Sequence, residues 1–341
     1  MTLDDARRLW QPASSYLNTA SYGLPPQPGW AAMQLALADW QGGRTSWEAW
    51  GDSTHAAREA FAQMLGVAGE RVAVGATVSE LVGLVAASVD RGRLVCAEGD
   101  FTSLVWPWLV NGFDVTEVPL ARLAETVDSS TAVVAVSVVQ SSTGVVADLD
   151  AIVAAARAHG SLVVLDATQA CGWLPLDASR FDAVACAGYK WLCSPRGTAY
   201  LTLGDALLER VEPLHAGWFA GEDSHSSYYG TPVRLARAAR RLDTSPAWFS
   251  WVGAAPTLEL LNEIGIEAIH EHDISLANRF RAGLGMPPGD SAIVAADLPG
   301  AEERLDLAGI RASVRAGSLR ASFHVYTTEA DVDAALDALL S

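Results

Sequence analysis

The sequence predicts an α/β fold: a large domain with a mostly parallel sheet covered by helices, followed by a smaller C-terminal α/β domain. Three observations predict it. From Arg71 onward, short β-rich apolar runs alternate with helical stretches, the rhythm of repeated βαβ units. Half of the 341 residues are hydrophobic, enough to bury a large core and to divide into two domains. Beyond Pro246 the order of elements changes, and the remaining stretch of about 95 residues is long enough to fold around its own core. The expected boundaries are 15–245 for the large domain and 246–341 for the small one, with residues 1–14 packed near the latter.

The opening YLNTASYGLPPQPGW is turn-rich, since Gly23, Pro25, Pro26, Pro28 and Gly29 prevent regular structure. Helical patterning follows over Ala31–Trp40 and Thr54–Leu65, with Gly66 as a C-terminal cap. The crowding of Trp30, Trp40, Trp47 and Trp50 reads first as packing, because Trp buries a large area. Val72–Val74, Leu94–Ala97, Val133–Val138 and Leu162–Leu165 read as strands. Ser79–Val89 and Asp148–His159 read as helices between them, the second started by Asp148 and stopped by Gly160. No G-x-G-x-x-G follows the first strand, so a dinucleotide-binding fold lacks its fingerprint. In the last third a helix over Trp248–Ile264 leads to Gly265. Then come an apolar run at Ala292–Ala295, a helix from about Ala301 to Ala308 and a strand at Arg311–Val314. LRASFHVY follows, and the last helix starts at Thr328, which forms a capping box with Asp331. No repeat or low-complexity tract appears.

The formal net charge of −17 argues against nucleic acid or an anionic membrane as the main partner. A basic pocket inside an acidic protein remains compatible with it. Cys96, Cys171, Cys186 and Cys193 show no metal-ligand spacing and lie in apolar segments, which fits a reducing, cytoplasmic setting. MTLDDARRLW has no basic segment followed by an apolar core, and no apolar run reaches the ~20 residues of a membrane span.

The chemistry centres on VVLDATQACGWLPLDASRFDAVACAGYKWLCSPRG, residues 163–197. Asp166 ends one apolar run and Lys190 follows another, Phe181–Ala187. Parallel neighbours joined by a crossover bring their C-terminal ends to one sheet edge, where α/β proteins build sites. An acid and an amine meeting there suit pyridoxal phosphate (PLP), which takes a lysine Schiff base and an acid partner for its ring nitrogen. A buried Asp–Lys ion pair, or two residues that never meet, would give the same sequence.

From YLNTASYG to LRASFHVYTTEADVD, over nearly its whole length, the chain resembles the PLP-dependent enzymes of fold type I. Within them it resembles the class V aminotransferase group, which includes cysteine desulfurases, kynureninases and isopenicillin-N-epimerase-like proteins. The resemblance implies a seven-stranded-type sheet in the large domain, PLP as cofactor and an amino-acid substrate. It implies that Lys190 forms the Schiff base and moves protons at the substrate α-carbon, and that Asp166 bonds the pyridine nitrogen. Thr168 and Gln169 would lie near the ring and its phenolic oxygen. Thr77, Val78 and Ser79 in GATVSELVGL would bracket the phosphate at a helix N-terminus, whose free N–H groups suit an anion. An ordinary Ser-capped helix has the same sequence. Tyr189 matches a kynureninase-like Tyr that reaches the phosphate, and Phe101 the ring that stacks on the pyridine face. Gln140 and Ser141 stand where the group places an Asn, which leaves that contact open. Trp218, with Thr244 and Ser245, would reach the phosphate of a partner subunit, which implies a homodimer. Arg320 would anchor the substrate α-carboxylate through its planar fork, with Arg315 as its rival.

The reaction is less constrained, because PLP activates the α-carbon and the protein decides which bond breaks. Transamination needs only Lys190 as a proton shuttle. A β-carbon lyase or hydrolase reaction needs an added acid, for which Tyr189 is available. Epimerisation needs a second acid/base on the opposite ring face, and no residue announces itself. Desulfuration needs a loop cysteine before the carboxylate arginine, and none follows Cys193. A non-catalytic PLP-binding module would have no use for Arg320. Aminotransferase chemistry is the first expectation.

Overall fold

The structure, a computed structural model, describes residues 1–341. Seven strands form the main sheet: β1 (Val72–Gly75), β2 (Arg93–Ala97), β3 (Asp114–Val118), β4 (Thr131–Ser137), β5 (Leu162–Asp166), β6 (Ala183–Ala187) and β7 (Ala199–Leu203). Their spatial order is β1-β7-β6-β5-β4-β2-β3. The pairs from β6 to β3 are parallel, while β7 runs antiparallel to both β6 and β1. Two reversals cancel, so β1 points the same way as β6. The C-terminal ends of β1, β2, β4, β5 and β6 therefore all open on one edge.

Alternation along each strand feeds two cores. Val72, Val74, Val134, Val136, Val163, Leu165 and Val184 join one cluster, while Ala73, Val133, Ala135, Val164, Ala183 and Ala185 join the other. Every strand except the edge strand β3 is buried on both faces, which is why the inner segments read as apolar runs. The expected helices appear as Gln27–Gln41, Trp47–Met64, Val78–Ser88 and Leu149–His159. Asp148 caps the last by accepting from Ala151 N at 3.0 Å, and Gly160 ends it at φ 72°. Gly66, at φ 67°, follows the end of Trp47–Met64.

The C-terminal sheet consists of β8 (Ile293–Ala296), β9 (Ser313–Arg315) and β10 (Ser318–Ser322), in the order β8-β10-β9 and antiparallel throughout. The final helix, Glu329–Leu340, has the expected capping box between Thr328 and Asp331. Packing divides the chain differently from a cut at residue 246. In the helix Trp248–Ile264, Trp251, Ala254, Leu258 and Leu261 are buried in the first core of the large sheet. The next helix, Ile266–Gly283, changes cores along its length: Ile266 and Ile269 pack with the large sheet, and Leu276, Ala277 and Phe280 with β8 and β10. The N-terminal segment bridges to the C-terminal unit, with Arg7 Nε donating to Val325 O at 3.1 Å and Trp10 packing on Tyr326. No helix is long and apolar enough to cross a membrane.

Candidate active site

The strand ends on the common edge border an open cleft. Thr77, Val78, Ser79, Phe101, Ser141, Asp166, Thr168, Gln169, Tyr189 and Lys190 all line it. Ten of the candidate residues are thus brought together from five separate loops. Ala76, Ser103, Ser137, Ala187 and Arg196 line it as well and were not foreseen.

At the β1 end, Thr77 caps the helix Val78–Ser88: its Oγ1 accepts from Glu80 N at 3.2 Å, and Glu80 Oε2 accepts from Ala76 N at 2.9 Å. The N–H groups of Val78 and Ser79 have no partner within the chain and face the cleft. Free amides at the positive end of an 11-residue helix suit a phosphate dianion.

At the end of β5, Asp166 is 5% exposed. Its Oδ1 accepts from Thr168 N at 2.8 Å, and no donor in the chain meets Oδ2. Burial pushes its carboxyl above the usual range, opposed by the Thr168 hydrogen bonds and the nearby Lys190 amine. A buried carboxylate with one open oxygen calls for a cationic N–H donor, which a pyridinium supplies. Lys190 is also buried. Burial pulls its amine down to about 8, with the Arg320 charge working the same way and Asp166 opposing. An amine in that range forms an imine far more readily than one near ~10.4. The Nζ atom lies 5.3 Å from the centre of the Phe101 ring, which lines the cleft and is 43% exposed. Lys190 is the only lysine in the chain, a signal available from composition alone. These three features, the free helix N-terminus, the half-satisfied acid and the lowered amine, fit PLP.

The Lys190 turn is held tightly. Gly23 N donates to Tyr189 O at 3.0 Å, and a Cβ on Gly23 would lie 1.9 Å from Lys190 O, so only glycine fits there. His324, fully buried, spans Asp273 Oδ2 at 3.0 Å and Trp191 O at 2.9 Å. Burial works against a charged ring, but the Cys193 sulfur and the Asp273 carboxylate outweigh it and push His324 up to about 10. The imidazolium then donates to both acceptors. Trp191 Nε1 donates to Gln169 Oε1 at 2.8 Å, and Gln169 Nε2 donates to Ser141 Oγ and Ala20 O, each at 3.0 Å. The Gln169 amide is therefore committed to the frame of the cleft. Thr168 Oγ1 accepts from Ala187 N at 3.0 Å.

Arg320 lies behind this wall and does not line the cleft. It is 2% exposed, donates from Nη1 to Ser141 O at 2.6 Å and from Nη2 to Ser21 Oγ at 2.8 Å. Burial, then the Arg315 charge, pulls its guanidinium down to about 10. Arg315 is exposed and also reaches Ser21 Oγ, at 3.2 Å. Gln140 points elsewhere, toward Asp100 Oδ2 at 3.2 Å, so of the pair it is Ser141 that faces the cleft. Trp218, Thr244 and Ser245 are also outside the cleft of their own chain. Trp218 packs edge-on against Trp47 at 4.7 Å, and Ser245 is exposed. The neighbouring Asp243 is buried, pairs with Arg58 at 2.5 Å and accepts from Val74 N at 2.9 Å, which fixes where this turn leaves the large domain.

The family model for class-V aminotransferases matches residues 49–298. An uncharacterized aminotransferase, YcbU, of Bacillus subtilis is 29% identical over 67% of this chain, and the match spans 64% of that protein's length. Isopenicillin N epimerase of Streptomyces clavuligerus is 27% identical over 83% of both chains. A probable cysteine desulfurase of Streptomyces coelicolor is 29% identical over 72% of this chain and 68% of its own. Among solved structures, a C-DES variant with glycine covalently linked to its PLP cofactor superposes with a TM-score of 0.87, at 20% identity over 98% of both chains. The fold is that of the fold type I PLP enzymes. With the family matched over most of the chain and a cleft that suits the cofactor, this chain belongs to the class-V aminotransferase family and PLP is its cofactor.

Proposed function

We propose that the protein is an aminotransferase acting at the α-carbon of an amino-acid substrate. The observation that carries this reading is the buried Lys190 amine, lowered to about 8, facing the same cleft as the half-satisfied Asp166. When bound, PLP draws electron density from the substrate α-carbon and makes its proton acidic. Lys190 is the cleft residue suited to take that proton and return it elsewhere, which is all that transamination asks of the protein. Asp166 holds positive charge at the buried end, Thr77, Val78 and Ser79 hold the phosphate, and Phe101 offers an apolar face to the ring. Thr168, Gln169 and Ser141 fix the walls between them.

Tyr189 supports a second reading, β-carbon cleavage. Burial pushes its phenol above the ordinary value, so it keeps its proton at neutral pH and is available as an acid beside Lys190. Desulfuration has less support: all four cysteines are buried and none lines the cleft. With an amino acid alone the purified holoenzyme should convert to the pyridoxamine form and release the matching keto acid, and a second keto acid should then restore the aldehyde form and yield a new amino acid. Ammonia and pyruvate formed without a keto acid would replace this reading with β-elimination.

Arg320 is assigned to the substrate α-carboxylate, which would compete for the donors now given to Ser141 and Ser21. Arg320→Ala should weaken substrate binding by about a hundredfold, within the ~2–5 kcal/mol range for truncating a buried charged partner. The cofactor band should stay intact, and its loss would show that the arginine serves the cofactor instead.

A homodimer is the proposed assembly. Trp218, Thr244 and Ser245 stand away from their own cleft, and Phe101 opens to solvent beside the exposed Trp106, Leu109 and Val110. A second copy would cover this apolar surface and bring its own Ser245 turn to the phosphate. Sedimentation should give a dimer whose dilution-induced dissociation parallels loss of activity; active monomers would contradict it.

A further inference from the structure

We propose that the cleft carries a second anion subsite, built by Arg196 and Tyr22, and that the substrate is an amino acid whose side chain bears an acidic group. This rests on reading the cleft as an amino-acid site. Arg196 follows Lys190 by six residues and lines the same cleft. Its guanidinium carbon lies 4.6 Å from the centre of the Tyr189 ring, and its Nη1 donates to the Tyr22 hydroxyl at 2.9 Å. The ring fixes one face of the guanidinium and the hydroxyl takes one N–H. The other N–H groups have no acceptor in the chain.

No carboxylate pairs with Arg196. Arg157 and Arg241 also lack an acidic partner, but they donate to backbone carbonyls, whereas Arg196 lines the cleft with most of its N–H groups unused. Other surface arginines, Arg71, Arg180, Arg210 and Arg311, each pair with an aspartate. Arg315 and Arg320 also have no acidic partner, and all three arginines converge on one dipeptide. Arg320 and Arg315 donate to Ser21 Oγ at 2.8 and 3.2 Å, and Arg196 donates to the next residue, Tyr22. One guanidinium is enough for an α-carboxylate, since its fork pairs both oxygens. A further unpaired guanidinium, fixed against the Tyr189 ring and tied to this dipeptide, suits a second anion. The helix N-terminus at Val78 and Ser79 already provides for the phosphate, and the tie to Tyr22 sets Arg196 toward the segment that Arg320 contacts.

Matched pairs test this: L-glutamate with L-glutamine, and L-aspartate with L-asparagine, titrated into the holoenzyme and followed by the cofactor absorbance. At least one acidic member should bind about tenfold or more tightly than its amide, as a charge-assisted pair replaces a neutral one. In Arg196→Gln that preference should fall to within about twofold, with cofactor content and binding of the amides unchanged. Tyr22→Phe, which keeps the ring and removes the hydroxyl, should reduce the preference part of the way. Equal binding of acid and amide by the native enzyme would overturn the subsite, as would a preference that survives Arg196→Gln. Loss of cofactor from Arg196→Gln would also overturn it, by placing the arginine on the phosphate. A cofactor band that responds to no amino acid at all would instead overturn the enzyme reading beneath it.

Discussion

Lys190→Ala should reduce the rate of α-proton exchange by about 10²–10⁴-fold, the range spanned by a positioned general acid–base group. The expectation is sharp because nothing else in the cleft can substitute. Asp166 is buried at its far end, Tyr189 keeps its proton, and no second lysine exists in the chain. Exchange of the α-hydrogen for deuterium, followed by NMR on the substrate, reads the step without depending on which product forms. Added methylamine, a small free base that can enter the space left by the side chain, should restore part of the rate. A variant that exchanges at the native rate would remove Lys190 from its assigned role.

Asp166→Asn should cost about 10²–10³-fold in the same step, the scale for removing one preorganised electrostatic contact. The substitution keeps the shape of the side chain and its acceptor toward Thr168 N, and deletes only the charge. A second readout needs no cofactor. In the apoprotein Asp166 opposes the burial that lowers Lys190, so without its charge the ammonium is less favoured and the amine should titrate below about 8. Arg320→Ala has the opposite sign: it removes a positive neighbour, and Lys190 should titrate at higher pH. Because Lys190 is the only lysine, the pH dependence of amine modification can be read by mass spectrometry at one site. Equal titration in the native protein and Asp166→Asn would mean that the two groups do not feel each other across the cleft.

The inner strands of the large sheet were legible because they are buried on both faces and read as apolar runs, whereas the exposed edge strand β3 and the strand β7, broken by Thr202, were not foreseen. Caps at Asp148, Gly160 and Thr328 were legible because their chemistry is local. The helix Ile266–Gly283 was not foreseen: its buried stripe of Ile266, Ile269, Leu276 and Phe280 is interrupted by a buried Asp273 and surrounded by charge. Asp273 is there for His324, 51 residues away, and no local pattern contains that partner. The helix Thr102–Val110 hides for the opposite reason, being apolar on most sides and carrying Pro107 within it. In the cleft, residues next to a strand end were readable, since parallel strands send them to one edge. Arg196 and the Trp191–Gln169–Ser141–Arg320 chain of contacts depend on how the N-terminal segment and β10 close over that edge. Spacing along the chain carries no record of that closure.

Reduction of the purified holoenzyme with borohydride, followed by peptide mass spectrometry, tests the central claim most directly. One PLP adduct per chain is expected, on the peptide that carries Lys190, and none in Lys190→Ala. An unlabelled Lys190, or an adduct on the N-terminal amine in its place, would contradict it.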